Sequence, residues 1–253
     1  MLRCYRYYLL LLMLLSPISV FSQDLNALRI MEEAFRRDDG RDAYFKIEMT
    51  LIDNTGNERK RLLEVYTKDY ADLMKTFIRF LEPADIKDTS FLSLEYNEDE
   101  DIQYLYLPAL GRVRRIVSSQ KNLRFMNTDF TYEDMQRRRP EKDEHRVICE
   151  EIFDGRQCYV VESLPKDKSQ YSKRVSWIDK ESRMILKIDF YNKSGQKSKV
   201  FRVVDLDKRQ NIWTALKVVM EDLEDKHSTR MQVVEVKYNQ GINDDTFNPY
   251  KLE

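Results

Sequence analysis

"RMILKIDFYN", residues 183–192, sets how the rest of the chain is read. Met184, Leu186, Ile188 and Phe190 fall on one side of an extended chain, Lys187 and Asp189 on the other. A period of two, with one apolar and one polar face, marks a half-buried strand of an antiparallel sheet. Upstream, "AYFKIEMTLID" (43–53) alternates in the same way. "RKRLLEVYTK" (59–68), "LMKTFIRFLEP" (73–83), "SFLSLEYN" (90–97) and "DIQYLYLP" (101–108) follow it. "HRVICEEIF" (145–153), "CYVVESLP" (158–165) and "KRVSWIDK" (173–180) precede the opening stretch, and "KVFRVVDL" (199–206), "WTALKVVMEDL" (213–223) and "RMQVVEVKYN" (230–239) come after it. The turns between them carry Asp154-Gly155, Asn192-Lys-Ser-Gly195 and similar breakers. About eleven short strands joined by tight turns predict an antiparallel meander.

A sheet with one dry face needs a cover. Residues 24–37 supply part of it, with Leu25, Leu28, Met31 and Phe35 at helical spacing and Asp38-Asp39-Gly40 at the end. The non-strand segment 118–140 is the other available cover. About eleven strands cannot stay flat. The expected fold is mainly β: one large curved antiparallel sheet forming a half-open barrel, with an N-terminal helix and short lid helices over an apolar cavity.

Residues 1–22 have the layout of a secretory signal. Arg3 and Arg6 precede the apolar run Leu9–Leu15, and the small residues Val20 and Ser22 lie just before Gln23. The run is short for a bilayer span. Cys4 lies ahead of it, where no lipid anchor is attached. The expected product is one domain, 23–253, exported to the periplasm without an anchor. With 43 basic and 44 acidic residues, the chain lacks the basic excess of a nucleic-acid binder.

Export leaves Cys149 and Cys158, a candidate disulfide in an oxidising compartment. They flank a hairpin centred on Asp154-Gly155. In the tight register Cys149 faces Val160 and Cys158 faces Glu151, a diagonal that suits a disulfide poorly. A longer loop or a bulge would set them opposite each other. The bridge and two small buried apolar residues both stand as readings.

Catalytic chemistry is sparse. His145 and His227 lie in polar, turn-like contexts and read as solvated, with no metal-ligand spacing around either. No nucleophile elbow, phosphate loop, dinucleotide fingerprint or zinc motif is present. The acidic stretch Glu95–Asp101 lacks the glycine and oxygen spacing of a calcium loop and reads as a hairpin tip. "MNTDFTYEDM" (126–135) holds Asp129, Glu133 and Asp134 between two basic runs, Arg112, Arg114 and Arg115 before it and Arg137–Arg139 after it. A carboxylate pair for acid–base work is one reading. The better one is a helix start, with capping oxygens and first-turn acids. Phe130, Tyr132 and Met135 would then pack on the dry face. No metal, no cofactor and no enzyme activity is expected.

Three stretches in order, "FIRFLEPADIKDTSFLSLEY", "IQYLYLPALGRVRRI" and "MNTDFTYEDM", resemble the outer-membrane lipoprotein-sorting protein family of the LolA-like superfamily. "GRQCYVVESLPK" and "VSWIDKESRMILKIDFYNKSG" extend the likeness over roughly 40–250. The resemblance implies a half-open barrel around an apolar cavity that carries lipid acyl chains or lipoproteins through the periplasm. It also implies exchange with an inner-membrane transporter and an outer-membrane acceptor, and a monomer. Under it, the alternating apolar residues become candidate cavity wall: Phe45, Ile47, Met49, Leu63, Val65, Ile78, Phe80, Leu105, Leu107, Phe130, Trp177, Met184, Leu186, Ile188 and Phe190. Arg112, Arg114 and Arg115, together with the run Arg137–Arg139, are a candidate docking surface if the same fold serves instead as an envelope interaction or sensor module, or as a transporter accessory. The chain departs from the family's pattern at Asp88 and Asn127, where a glycine is usual. Asn accepts a left-handed backbone readily, and Asp less so.

Overall fold

The structure, a computed structural model, describes residues 18–71, 73–96 and 100–253, with side chains described from residue 26 onward. The signal-sequence reading falls mostly on residues 1–17, outside the described part. The helix α1 spans Ile18–Phe35, beginning earlier than the periodicity predicts and ending two residues sooner. No described helix is long and apolar enough to cross a membrane.

Among the described residues thirteen strands follow, all in one antiparallel sheet. They are β1 (Asp42–Ile52), β2 (Glu58–Tyr70), β3 (Leu73–Glu82), β4 (Ser90–Leu94), β5 (Ile102–Leu107), β6 (Arg112–Ile116), β7 (Asp143–Phe153), β8 (Arg156–Pro165), β9 (Lys173–Asp179), β10 (Ile185–Tyr191), β11 (Lys197–Arg209), β12 (Ile212–Asp222) and β13 (His227–Tyr238). Alternation did not reveal β6, because three arginines in five residues hide its period.

The strand order is two meanders laid side by side. The first runs outward from β1 to β6. The chain then crosses to the far edge, and the second runs back from β7 to β13, which pairs with β1. The open edges are therefore β6 and β7, and residues 117–142 join them. This connection, the strap, shows that the sheet is curled. The Tyr132 carbonyl accepts from Gln103 of β5, while the neighbouring Glu133 accepts from Arg174 of β9. Those strands are nine steps apart in the sheet, a distance of about 43 Å if the sheet were flat. Adjacent residues reach both only because the sheet wraps around them.

Both faces are partly dry, which a one-faced reading does not foresee. On the inner face, α1 lays Ala27, Ile30 and Ala34 on Val161 of β8 and Ile178 of β9. On the outer face of β3 and β4, the C-terminal tail sets Phe247 and Leu252 against Phe77, Leu92 and Leu94.

Two expectations are corrected by register. A bulge between Ile185 and Lys187 breaks the alternation of β10. Ile188 and Phe190 pack with Phe130 and Met220, whereas Met184 and Leu186 join a separate cluster around Trp177. Trp177 stands opposite Lys187 and Val160, while Ile188 stands opposite Ser176. Trp177 therefore leaves the sheet on the face away from Ile188. The candidate disulfide does not form. Cys149 pairs with Val160, Cys158 with Glu151, and both thiols are free. Diagonal positions across two strands lie about 7–8 Å apart, beyond the reach of a disulfide.

Candidate functional site: the strap and the concave wall

The strap starts from local chemistry. Thr131 and Asp134 form a reciprocal cap: the Thr131 N–H donates to Asp134 Oδ2 at 2.9 Å, and the Asp134 N–H donates to Thr131 Oγ1 at 3.3 Å. The cap closes a single turn, with the Met135 N–H on the Thr131 carbonyl. The expected lid helix does not propagate, because its acids are engaged by the sheet. Glu133 accepts from the Ser169 hydroxyl, from the Gln170 N–H at 2.9 Å and from Arg174 at 2.8 Å. Asp134 accepts from the Tyr171 hydroxyl at 2.8 Å. Burial, with Asp134 beside it, pushes the Tyr171 phenol far up, so it stays a donor.

Asp129 is the most enclosed anchor, with no exposed surface. Its carboxylate meets His227 Nδ1 at 2.9 Å and accepts from Thr229 Oγ1 at 2.6 Å. Its carbonyl accepts from Lys199 Nζ at 2.9 Å. His227 is thus a strap contact, not a solvated side chain. His145 is also corrected, being buried between Ser163 and the Pro140 carbonyl. Arg124 pairs with Asp222 at 2.8 Å. Every one of these anchors reaches the β7–β13 half.

Apolar groups hold the other half. Phe125, Tyr132 and Phe91 form an edge-on aromatic group, with ring centroids 5.0 Å (Phe91–Phe125) and 5.8 Å (Phe125–Tyr132) apart. This group packs on Met49, Leu63, Ile78, Phe80 and Leu105. Beneath this group the polar ties are Gln103 to the Tyr132 carbonyl and Arg61 to the Met126 carbonyl at 2.6 Å; toward its ends the strap also meets this half through Ser118 on Glu100, Gln136 on Asp101 and Arg137 on Glu95. Burial pulls the Arg61 pKa down. Met126 and Asn127 are both left-handed, with φ of 48° and 58°, and Asp88 is too, with φ of 63°. At Asp88 and Asn127, where the resemblance implies glycine, the backbone takes the left-handed conformation that glycine favours.

Of the candidate wall residues, Ile47, Met49, Leu63, Val65, Ile78, Phe80, Leu105 and Leu107 gather under Phe125 and Tyr132. Phe130, Ile188 and Phe190 gather beside them. Trp177, Met184 and Leu186 do not join, and Phe45 packs with Tyr238 in a cluster of its own. Met135 and Met231 touch both groups and make the seam continuous. With Met49, Met126 and Met220, five of the chain's ten methionines line it. Period reading missed Phe91, Phe125, Phe201 and Met220. Phe125 lies outside any strand, where alternation assigns no face. The expected apolar cavity is filled here by the strap's own side chains. Arg112 and Arg114 stand on the wall face opposite Leu107 and Leu105, while Arg115 stands opposite Tyr104 on the other face, so the three share no single surface. Among the described residues, no cluster of side chains could hold a metal ion.

Known proteins share this architecture. The family whose model matches, over residues 72–253, is described as "Uncharacterized protein". No curated protein matches. A crystal structure of a DUF1329 family protein from Desulfovibrio piger is 27% identical with a TM-score of 0.87, covering 91% of this chain and 99% of that one. A domain assigned as an outer membrane lipoprotein-sorting protein, from Vibrio parahaemolyticus, is 31% identical with a TM-score of 0.86, covering 90% and 99%. A LolA superfamily protein from Nitrosomonas europaea, 18% identical with a TM-score of 0.69 over 88% and 97%, shares the fold.

Proposed function

The chain belongs to the outer-membrane lipoprotein-sorting protein family, in the LolA-like superfamily, and from that premise we propose that it is a periplasmic carrier that shields acyl chains on its concave wall. The observation that carries this reading is the methionine-lined seam between strap and wall. Methionine is unbranched and polarizable, and it repacks around guests of different shape. Asp129, Glu133 and Asp134 hold the middle of the strap to the β7–β13 half, while Phe125 and Tyr132 meet the β1–β6 wall through mostly apolar contacts, with polar ties to that half toward the strap's ends. Acyl chains offer the wall the same kind of contact. Each CH₂ moved from water contributes about 0.8 kcal/mol, so a chain entering under Phe125 and Tyr132 replaces like with like. Exchange of one apolar guest for another keeps the barrier to release low, as a carrier requires. The function is binding and transfer, with no bond made or broken, and a membrane transporter and an outer-membrane acceptor are the partners it implies.

Uptake of a fluorescent fatty acid tests this. Leu107→Glu places a charge on the wall at a partly exposed position, where the fold can tolerate it. Uptake is expected to fall at least tenfold with the circular dichroism spectrum unchanged. Wild-type protein that takes up no fatty acid, or a Leu107→Glu variant with unaltered uptake, counts against a wall-bound cargo.

A further inference from the structure

The wall's rim carries arginines. Arg112 and Arg114 of β6 stand opposite Leu107 and Leu105, and Arg59 of β2 stands opposite Leu51. These three arginines therefore share the face of the apolar wall. All three are exposed, and among the described residues no ion pair or side-chain hydrogen bond engages their guanidinium groups. Elsewhere around the strap, arginines are engaged: Arg124 by Asp222, Arg138 by Asp143, Arg174 by Glu133. Arg112 and Arg114 are two residues apart on one strand face, a spacing of about 7 Å. Their side chains can converge on one oxyanion. Leu110, 48% exposed at the tip of the same hairpin, adds apolar surface beside them.

We propose that Arg112 and Arg114, with Arg59 on the same face, form a headgroup site, and that the cargo is an anionic lipid whose phosphate or carboxylate they grip while its chains lie on the wall. This rests on the carrier reading. The guanidinium fork matches phosphate and carboxylate oxygens in paired hydrogen bonds. A cationic head would meet like charges at this rim, and a zwitterionic one would gain less.

The test offers the purified protein vesicles of equal parts phosphatidylglycerol and phosphatidylcholine with matched oleoyl chains, then quantifies the lipid that co-elutes with it. A parallel arm offers oleate. Wild-type protein is expected to retain phosphatidylglycerol over phosphatidylcholine by about tenfold, with the preference shrinking as salt rises. In Arg112→Gln/Arg114→Gln the ratio should fall toward one. Arg112→Lys/Arg114→Lys should keep part of it, and Arg115→Gln, on the opposite face, all of it. Oleate competing out phosphatidylglycerol assigns the site to any anionic amphiphile; failure to compete restricts it to phosphate heads. Equal uptake of both phospholipids by the wild type overturns the headgroup site and leaves the carrier reading standing. So does a double variant that keeps the preference; if that variant also aggregates, the arginines only guard the edge strand. A protein that takes up no lipid removes the carrier reading itself.

Discussion

His145 is neutral and fully paired in the folded chain. The Pro140 carbonyl, 2.7 Å away, can only accept, so Nε2 carries a proton, and in the neutral ring Nδ1 accepts from the Ser163 hydroxyl at 2.8 Å. Burial holds its pKa below the ordinary value of 6.5. The unfolded chain therefore binds a proton at a pH where the folded chain does not. The resulting stability is fully present above pH 6.5 and is lost as the pH falls through the folded pKa. Urea unfolding at pH 7.5 and 5.5 should show a lower midpoint at the acid end, and His145→Gln should flatten that difference. An undiminished acid loss in the variant would place the proton uptake on another group. Sequence context hid this residue, because a polar neighbourhood in the chain says nothing of what packs over it. Asp88 and Asn127 were more legible. The resemblance implies glycine at both positions, and the left-handed backbone found there is one that glycine adopts freely.

At the scale of the element, the strap is a unit with two kinds of hold. Hydrogen bonds to charged groups contribute about 1.5–3 kcal/mol each, and Asp129 and Glu133 make several to the β7–β13 half. Asp129→Asn with Glu133→Gln should loosen that side first. Hydrogen exchange at the amides of 125–135 is expected to accelerate by ten- to a hundredfold, while those of β1 and β13 keep their protection. Equal acceleration in both would mean that the strap is not a separate cooperative unit. That the acids of "MNTDFTYEDM" are structural was readable from capping chemistry. That they cap one turn and then bind Arg174, His227 and Tyr171 was not, since those partners lie 37 to 98 residues away.

At the scale of the whole molecule, the sheet has no hydrogen-bonded seam between its two edges, and other contacts compensate. The strap spans the gap inside, and the C-terminal tail covers one stretch outside. Removing residues 242–253 uncovers Phe77, Leu92 and Leu94 and deletes the buried Phe247 and Leu252. At about 1.5–3 kcal/mol per buried side chain, the two losses together come to about 3–6 kcal/mol. The truncated chain should unfold at markedly lower urea and expose a dye-binding apolar surface; an unchanged midpoint would show that the tail packs only loosely. The alternation of single segments determined every strand but β6, their antiparallel class and much of the apolar composition of the wall, because a period of two is a local property of the chain. Only the tertiary structure decided which alternating residues share a wall. One bulge in β10 moved Leu186 away from Ile188, and the curl of the sheet brought β5 and β9 onto neighbouring residues of one strap. Register shifts and curvature come from long-range pairing, and no local period records them.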